Sequence, residues 1–405
     1  MARILLILPT ATYRAADFMT AARKLGVEVA IASEHRQAMS GDMGDRALVL
    51  PLSQPQLAAD AIGALHERTP LDAVVAVDDS GTAVAALASE RLGLGPSNPP
   101  DAAAAARDKS KMRDAFAVAG LPQPDYRLAW PGDDVGRLAE EVGLPCVVKP
   151  LSLSASRGVI RADSPSEADT AAERVRSILR CAREDDGAAL LVESYVPGAE
   201  VAVEGLLRGG ELEVLAIFDK PDPLEGPYFE ETIYVTPSRL PSQERIVSTA
   251  QAAARSLGLR EGPVHAELRI ADAGDPVVLE LAARSIGGLC ARSLRFGLGT
   301  SLEELIIEHA LGRTTDGIRR EKQASGVMML PIPRAGTLRE VRGTDSAREV
   351  PGIAGLEISV APGRAVEPLP EGDRYLGFLF AKAQTPEQVE AALREAHSRL
   401  DVVID

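Results

Sequence analysis

The first hundred residues alternate strand and helix signals, and this alternation narrows the fold more than any other feature of the chain. Residues 4–8 form a short apolar run that reads as a buried parallel strand. Residues 15–25 have helical spacing and stop at Gly26. A second strand is read at 27–32 and a third at 73–77. A helix over 84–92 again stops at a glycine, Gly93. Strands that alternate with helices imply a parallel sheet with helices on its faces. No GxGxxG follows the first strand, so a dinucleotide fingerprint is absent. Pro96, Pro99 and Pro100 then break the chain and suggest a domain boundary.

Beyond that boundary the pattern changes. A helix is expected from about 101 to 119, closed by Gly120 and Pro122. It is followed by a strand at 146–149, a serine-rich loop at 151–158, a helix at 166–183 and a strand at 190–195 that runs into Pro197-Gly198. Residues 201–207 and 213–218 look antiparallel across Gly209-Gly210, and 264–270 with 277–281 look like another hairpin. Helices at 243–257 and 302–311 complete this part. From Gly326 prolines and glycines accumulate, with a strand near 376–381 and a helix at 386–399. Residues 326–405 are therefore expected to form a small α+β domain.

Charge and cysteine usage exclude several functions. With 44 basic and 59 acidic residues the formal charge is −15, so nothing in bulk attracts nucleic acid or anionic lipid. A phosphate-bearing ligand must be held by a few placed cations. Cys146, Cys181 and Cys290 lie far apart with no CxxC spacing, which argues against a disulfide framework or a zinc site. The apolar run before Pro9 is too short for a signal peptide or a membrane span, and no later run reaches roughly 18 apolar residues. The expectation is a soluble cytoplasmic protein.

The most informative local geometry lies around Ala273-Gly274. A symmetric turn there pairs residues whose numbers sum to 547, and Glu267 and Glu280 satisfy that sum. Across the ladder their Cβ atoms would stand roughly 5 Å apart. Facing carboxylates repel unless they share a proton or a bound cation. Two carboxylates with open space suit Mg²⁺, which keeps sites for water and substrate phosphate. Alternation puts Ala282 and Arg284 on the same face as Glu280, where Arg284 could hold a phosphate or an oxyanion. Val278, Leu279 and Leu281 indicate that the other face is buried. The hairpin taken alone is equally consistent with a solvated polar face.

Lys149 closes an apolar strand, and burying an ammonium costs several kcal/mol unless it is paired. It is expected to point at an anion at the sheet's edge; the alternative is a lysine leaving the strand into solvent. The loop after it, Ser152 to Gly158, could wrap phosphate oxygens with amides and hydroxyls. With a single glycine it is a weak phosphate-loop signal.

Five segments in order and spacing, DKSKMRDAFAVAGLPQP, GLPCVVKP, SASRGV, LLVESYVPGAEVAVEG and VHAELRIADAGDPVVLELAARSIGG, resemble the ATP-grasp superfamily over roughly residues 1–325. GVMMLPIPRAGTL and GDRYLGFLFAKAQTPEQVEAALREAH further resemble the terminal domain of L-amino-acid ligases, which are carboxylate–amine ligases. The resemblance implies a Rossmann-like pre-ATP-grasp domain over 1–100, a two-lobed ATP-grasp domain over 101–325 with ATP between the lobes and a hinge near 193–197, and the C-terminal α+β domain over 326–405. It implies ATP and Mg²⁺, with Mn²⁺ as a substitute, and small carboxylate and amine substrates. It also allows a homodimer.

By the same resemblance Lys109 and Lys149 would bind the nucleotide phosphates, with Ser156 and Gly158 in the loop that covers them. Glu193 and Val196 would meet adenine, and Glu200 the ribose. Glu267 and Glu280 would be the metal ligands. Arg284 would grip the transferred phosphate and the reacting carboxyl oxygen, with Gly287 and Gly288 lining the carboxylate pocket. The implied reaction forms an acyl phosphate and then an amide. Glu231 is the candidate for holding the amine or taking its proton. Carboxylation through carboxyphosphate, purine-pathway ligation and a non-catalytic nucleotide-binding module are the competing readings.

Two departures matter. Many ATP-grasp enzymes carry Asn two residues after the second metal glutamate, where this chain has Ala282. In the amino-acid ligases a Glu and a His three residues apart contact the substrate amine and carboxylate, whereas here the segment reads Glu231-Thr-Ile-Tyr234. A phenol grips a carboxylate less strongly than an imidazolium.

Overall fold

The computed structural model describes residues 1–9, 12–35, 46–271, 274–314 and 317–405. The N-terminal alternation folds as the pattern requires. Strands Ala47–Val49, Glu28–Ser33, Arg3–Ile7 and Ala73–Ala76 form, in that order, a parallel sheet. Two of its elements escaped the sequence reading: the strand Ala47–Val49 and the helix Pro55–Arg68. The helix expected at 84–92 starts earlier, at Asp79. Gly81 sits in that first turn because an added Cβ would come within 2.8 Å of Ile7 Cγ2. The whole turn therefore lies tight against the sheet.

The single helix expected over 101–119 is two, Pro100–Ala105 and Lys109–Val118. Asp108 starts the second by accepting from the Ser110 and Lys111 amides, an N-cap of the usual kind. This break puts Lys109 on a helix end facing the interior. A four-stranded antiparallel sheet follows, in the order Tyr126–Ala129, Leu190–Ser194, Cys146–Pro150, Ile160–Ala162. Helices Val135–Val142 and Pro165–Ala182 bury their apolar faces against it.

Among the described residues the largest sheet has eight antiparallel strands. Its order is Pro276–Ala282, Gly262–Ile270, Ala199–Arg208, Glu211–Lys220, Ile233–Thr236, Ala324–Leu330, Gly377–Ala383 and Ile353–Ile358. Strands of the C-terminal region thus extend the sheet begun by the residues before it. Tyr234 pairs with Val327 in the same sheet that carries Glu267. Helix Pro386–Ser398, closed at its start by a Thr385–Gln388 capping box, covers this end of the sheet. A three-stranded sheet of Ala365–Val366, Gly336–Arg342 and Asp401–Ile404 completes it. No helix among the described residues is long and apolar enough to cross a membrane.

Candidate active site

The parallel sheet, the four-stranded sheet and the eight-stranded sheet face a common cleft of about 500 Å³. Lys109, Lys149, Ser156, Glu193, Val196 and Glu200 line it, as do Glu231, Tyr234, Glu267, Glu280, Arg284, Gly287 and Gly288. Gly158 differs from expectation. Its N–H donates to the Pro370 carbonyl at 2.9 Å, and its φ of +71° with the Pro150 ring 3.2 Å from an added Cβ explains the glycine. It shapes the turn, and its amide is engaged by the C-terminal region.

Glu267 pairs directly with Glu280, for a reason the simple sum does not contain. Nearer the turn Leu268 pairs with Val278 and Ile270 with Pro276, one residue tighter. A β-bulge beside Glu267 absorbs the difference and restores the facing acids. Ala273 lies outside the described residues. Leu279, expected on the buried face, is turned by the bulge to line the cleft, and its carbonyl accepts from Arg113 Nη2 at 2.6 Å. The chain's own cations offset the repulsion between the acids. Lys109 Nζ lies 3.2 Å from Glu280 Oε1, and Lys220 Nζ lies 3.1 Å from Glu267 Oε1. Side-chain exposures of 22% for Glu267 and 31% for Glu280 leave both open to the cleft. Two hard carboxylates beside free space fit a divalent cation that takes its remaining ligands from water and phosphate.

Behind this pair lies a charge network that sequence reasoning missed. Glu200, Glu231 and Glu267 bring carboxylate oxygens within 4.8 Å of one another. Lys220 Nζ occupies that space, at 2.7 Å from Glu200 and 2.6 Å from Glu231. Burial works against its charge, but the three carboxylates outweigh it and push the ammonium well above its usual range. His265, buried between Glu204 and Glu267, is likewise pushed up to about 9 despite its burial. Burial raises Glu267, yet Lys220 and His265 hold it well below the carboxylate range. Burial and the Glu267 charge lift Glu231 to about 7. Tyr234 Oη donates to Glu231 Oε2 at 2.5 Å, and the Lys220 ammonium sits 5.0 Å from the Tyr234 ring. Burial and Glu231 raise the phenol well above its ordinary value, so it stays a neutral donor.

Lys149 does face an anion, but that anion belongs to the chain and the strand is an inner one. Its Nζ lies 2.6 Å from Glu193 Oε2, while Arg113 Nε lies 2.5 Å from Oε1. Burial lowers the Lys149 ammonium, with Glu193 opposing it. Burial also works against the Glu193 anion, but Arg113 and Lys149 win and hold it at about 2. Just after strand Leu190–Ser194, which carries Glu193, the Val196 carbonyl accepts from Arg269 Nη1 at 2.7 Å. Both oxygens of Glu200 are held, one by Lys220 and one by Arg269 Nε at 2.9 Å. A sugar meeting Glu200 would therefore meet an oriented, already ion-paired carboxylate.

The serine-rich loop is tied to the C-terminal region. Beside the Gly158–Pro370 bond, Arg157 Nε donates to the Glu371 carbonyl at 3.0 Å. Arg174 forks onto the Glu371 carboxylate at 2.6 and 2.9 Å. Asp373 and Tyr375, a few residues on, line the cleft. Thr12, Tyr13, Arg14, Asp78, Asp79 and Ser80 line it from the N-terminal unit. None of these eight was singled out from sequence.

Three family models match in order: the ATP-grasp N-terminal domain over residues 19–96, the ATP-grasp domain over 142–293, and the L-amino acid ligase C-terminal domain 2 over 328–405. The alanine–anticapsin ligase of Bacillus subtilis (strain 168) is 30% identical over 255 residues, covering 58% of this chain and 53% of that protein. A D-alanine–D-alanine ligase of Aromatoleum aromaticum is 32% identical over 184 residues, covering 44% of this chain and 57% of that one. The chain therefore spans only about half the length of these relatives. The solved L-amino acid ligase from Bacillus licheniformis superposes with a TM-score of 0.81 at 24% identity, over 100% of this chain and 99% of that one. This likeness shows the fold.

Proposed function

We infer that this ATP-grasp chain, which ends in a domain of the L-amino acid ligase type, is an ATP-dependent carboxylate–amine ligase that releases ADP and phosphate. The observation that carries the reading is the convergence of Lys109, Lys149, Arg284 and the facing pair Glu267–Glu280 on one cleft. The proposal keeps the division 1–100, 101–325 and 326–405, with the nucleotide between the four-stranded and eight-stranded sheets and residues 193–197 as the hinge.

A carboxylate oxygen must approach the γ-phosphorus against the charge of the phosphates. Lys109 and Lys149 supply positive charge there, and Arg284 supplies planar donors at the reacting end. Glu267 and Glu280 would hold Mg²⁺, which would supply positive charge against that developing as the phosphoryl group moves. The bond from γ-phosphorus to the β–γ bridging oxygen breaks, ADP leaves, and the acid becomes an acyl phosphate. Ser156 and its neighbours close over the phosphates and exclude water, which would otherwise hydrolyse that intermediate. The amine then attacks the acyl carbon, an oxyanion forms beside Arg284, and phosphate departs. Glu231, facing the same cleft, accepts the ammonium proton or pairs with it. Gly287 and Gly288 leave room for the acid.

The test is a screen for nucleotide release over L-amino acids and small carboxylic acids, with and without added amine. ADP and phosphate appearing with an amide product is the expected result. AMP and pyrophosphate with the true substrates would overturn the acyl-phosphate mechanism, and ADP release that no amine alters would overturn the amide step.

A further inference from the structure

The segment carrying Arg284 is fastened to the N-terminal unit at two points. Arg284 Nε donates to Asp79 Oδ2 at 2.8 Å. The next residue, Ser285, accepts on Oγ from Arg14 Nη2 at 2.7 Å. Arg14 is only 1% exposed, and its Nη1 donates to the Val77 carbonyl at 3.1 Å. It thereby ties the chain after strand Arg3–Ile7 to the chain after strand Ala73–Ala76. From the opposite side, the Ile286 N–H donates to the Glu204 carboxylate at 3.0 and 3.2 Å. Arg284 thus leaves a backbone held from two directions.

The place of Asp79 in the N-terminal sheet strengthens the case. Strand Arg3–Ile7 is flanked by Glu28–Ser33 on one side and Ala73–Ala76 on the other. The crevice outside the carboxyl ends of the first strand and Ala73–Ala76 is the switch point at which open α/β sheets receive ligands. Asp79 opens the helix that starts there, and Asp78, at the N-cap, makes no side-chain cap. A capping residue that does not cap is a local rule set aside, as happens at functional sites.

We propose that Asp79 is a positioning residue for the reaction: its carboxylate fixes the plane of the Arg284 guanidinium, so that the N-terminal unit completes the reacting end of the site. The geometry follows from the fork of an arginine. With Nε on Asp79 and Nη1 on the Ser285 carbonyl at 3.0 Å, two directions in the guanidinium plane are taken. The remaining Nη2 donors then point along a defined line, free for a phosphate or acyl oxygen. Removing the carboxylate leaves the cation in place but lets the plane turn. Misplacement of a reacting group by about 1 Å can cost about 100-fold. This inference rests on the ligase reading above.

Asp79→Asn keeps the size and removes the anion. The first measurement is water exchange of the Arg284 Nε–H in arginine labelled with ¹⁵N, the signal being identified by its absence in Arg284→Lys. We expect slow exchange in the wild type and at least about tenfold faster exchange in Asp79→Asn. The second is ADP release with ATP, Mg²⁺ and the acid–amine pair, taken from the screen above, that the wild type turns over fastest. Expected is a fall in kcat of about 10- to 100-fold with KM for ATP changed less than about threefold. Asp79→Glu, which retains the anion, should recover most of the loss. A kcat within twofold of wild type overturns the proposal, and so does a loss expressed mainly in KM for ATP. If the wild type turns over no acid–amine pair, the ligase reading falls. The exchange measurement then still decides whether Asp79 holds Arg284, and unchanged exchange overturns that.

Discussion

Replacing Glu193 by glutamine tests whether this acid is the internal anchor that its contacts make it. Its two oxygens neutralise Arg113 at 2.5 Å and Lys149 at 2.6 Å, with side-chain exposures of 4%, 1% and 10% for the three residues. Holding the carboxyl at about 2, against an ordinary 4.5, corresponds at about 1.4 kcal/mol per tenfold change to about 3 kcal/mol of folded-state stability. The same order follows from leaving two buried cations without their anion. The sign is fixed by the direction of the shift. A depressed carboxyl stabilises fully above about 4.5, and its contribution disappears as the pH falls toward 2. About 2 of the 3 kcal/mol should be gone by pH 3. Glutamine does not titrate, so the stability gap between wild type and Glu193→Gln should be about 3 kcal/mol at pH 7 and shrink steadily below pH 5. Urea unfolding followed by far-UV circular dichroism at several pH values measures it. A gap below about 1 kcal/mol at pH 7, or curves that run parallel down to pH 3, would refute the reasoning.

Glu280→Gln should lower kcat by at least about 100-fold while the melting temperature changes little, because relief of the facing acids is offset by loss of the Lys109 ion pair; turnover that survives saturating Mg²⁺ removes Glu280 as a ligand. In hydrogen exchange, residues 152–156 should gain protection when ATP and Mg²⁺ are added. Gly158, whose amide is already bonded to Pro370, should be protected throughout; equal exchange over 152–156 with and without nucleotide would end the lid role. Tyr234→His should shift the preferred acid toward ordinary α-amino acids, since the wild-type phenol stays neutral beside Glu231; efficient dipeptide synthesis by the wild type, unchanged in the variant, would show that Tyr234 only packs.

Much of the site could be read from residues because strands repeat with period two. The facing of Glu267 and Glu280 came from counting, and Glu280, Ala282 and Arg284 do share the cleft. The same counting, carried to the neighbouring strands, would have found His265 and Arg269 beside Glu267, and Glu200 with Glu204 across from them. His265, Arg269 and Glu204 were passed over because a charged residue in an apolar strand looks incidental until its cross-strand partner is known. Lys220 is of that kind, since only the pairing with Glu200 reveals it. Asp79 was hidden for another reason. The helix was expected to begin only at residue 84, whereas it begins at Asp79, with Gly81 in its first turn because the helix lies against Ile7. The joining of residues 324–330 to the strand at Tyr234 has no local signature, because it is set by contacts far apart in sequence.

The fastening of the serine-rich loop to Pro370 and Glu371 has a consequence for how a chain of this architecture can diversify. The segment that anchors the serine-rich loop also sends Asp373 and Tyr375 into the cleft, and its strands extend the sheet that carries Tyr234. On the proposed function, acid preference and the closing of that loop are therefore inherited together. A chimera that exchanges residues 326–405 with a relative replaces part of the specificity wall and the seat of the loop in one cut. A chimera joined between Pro370 and Tyr375 splits them, pairing one parent's pocket with the other's anchor, and should spend more ATP for each amide made.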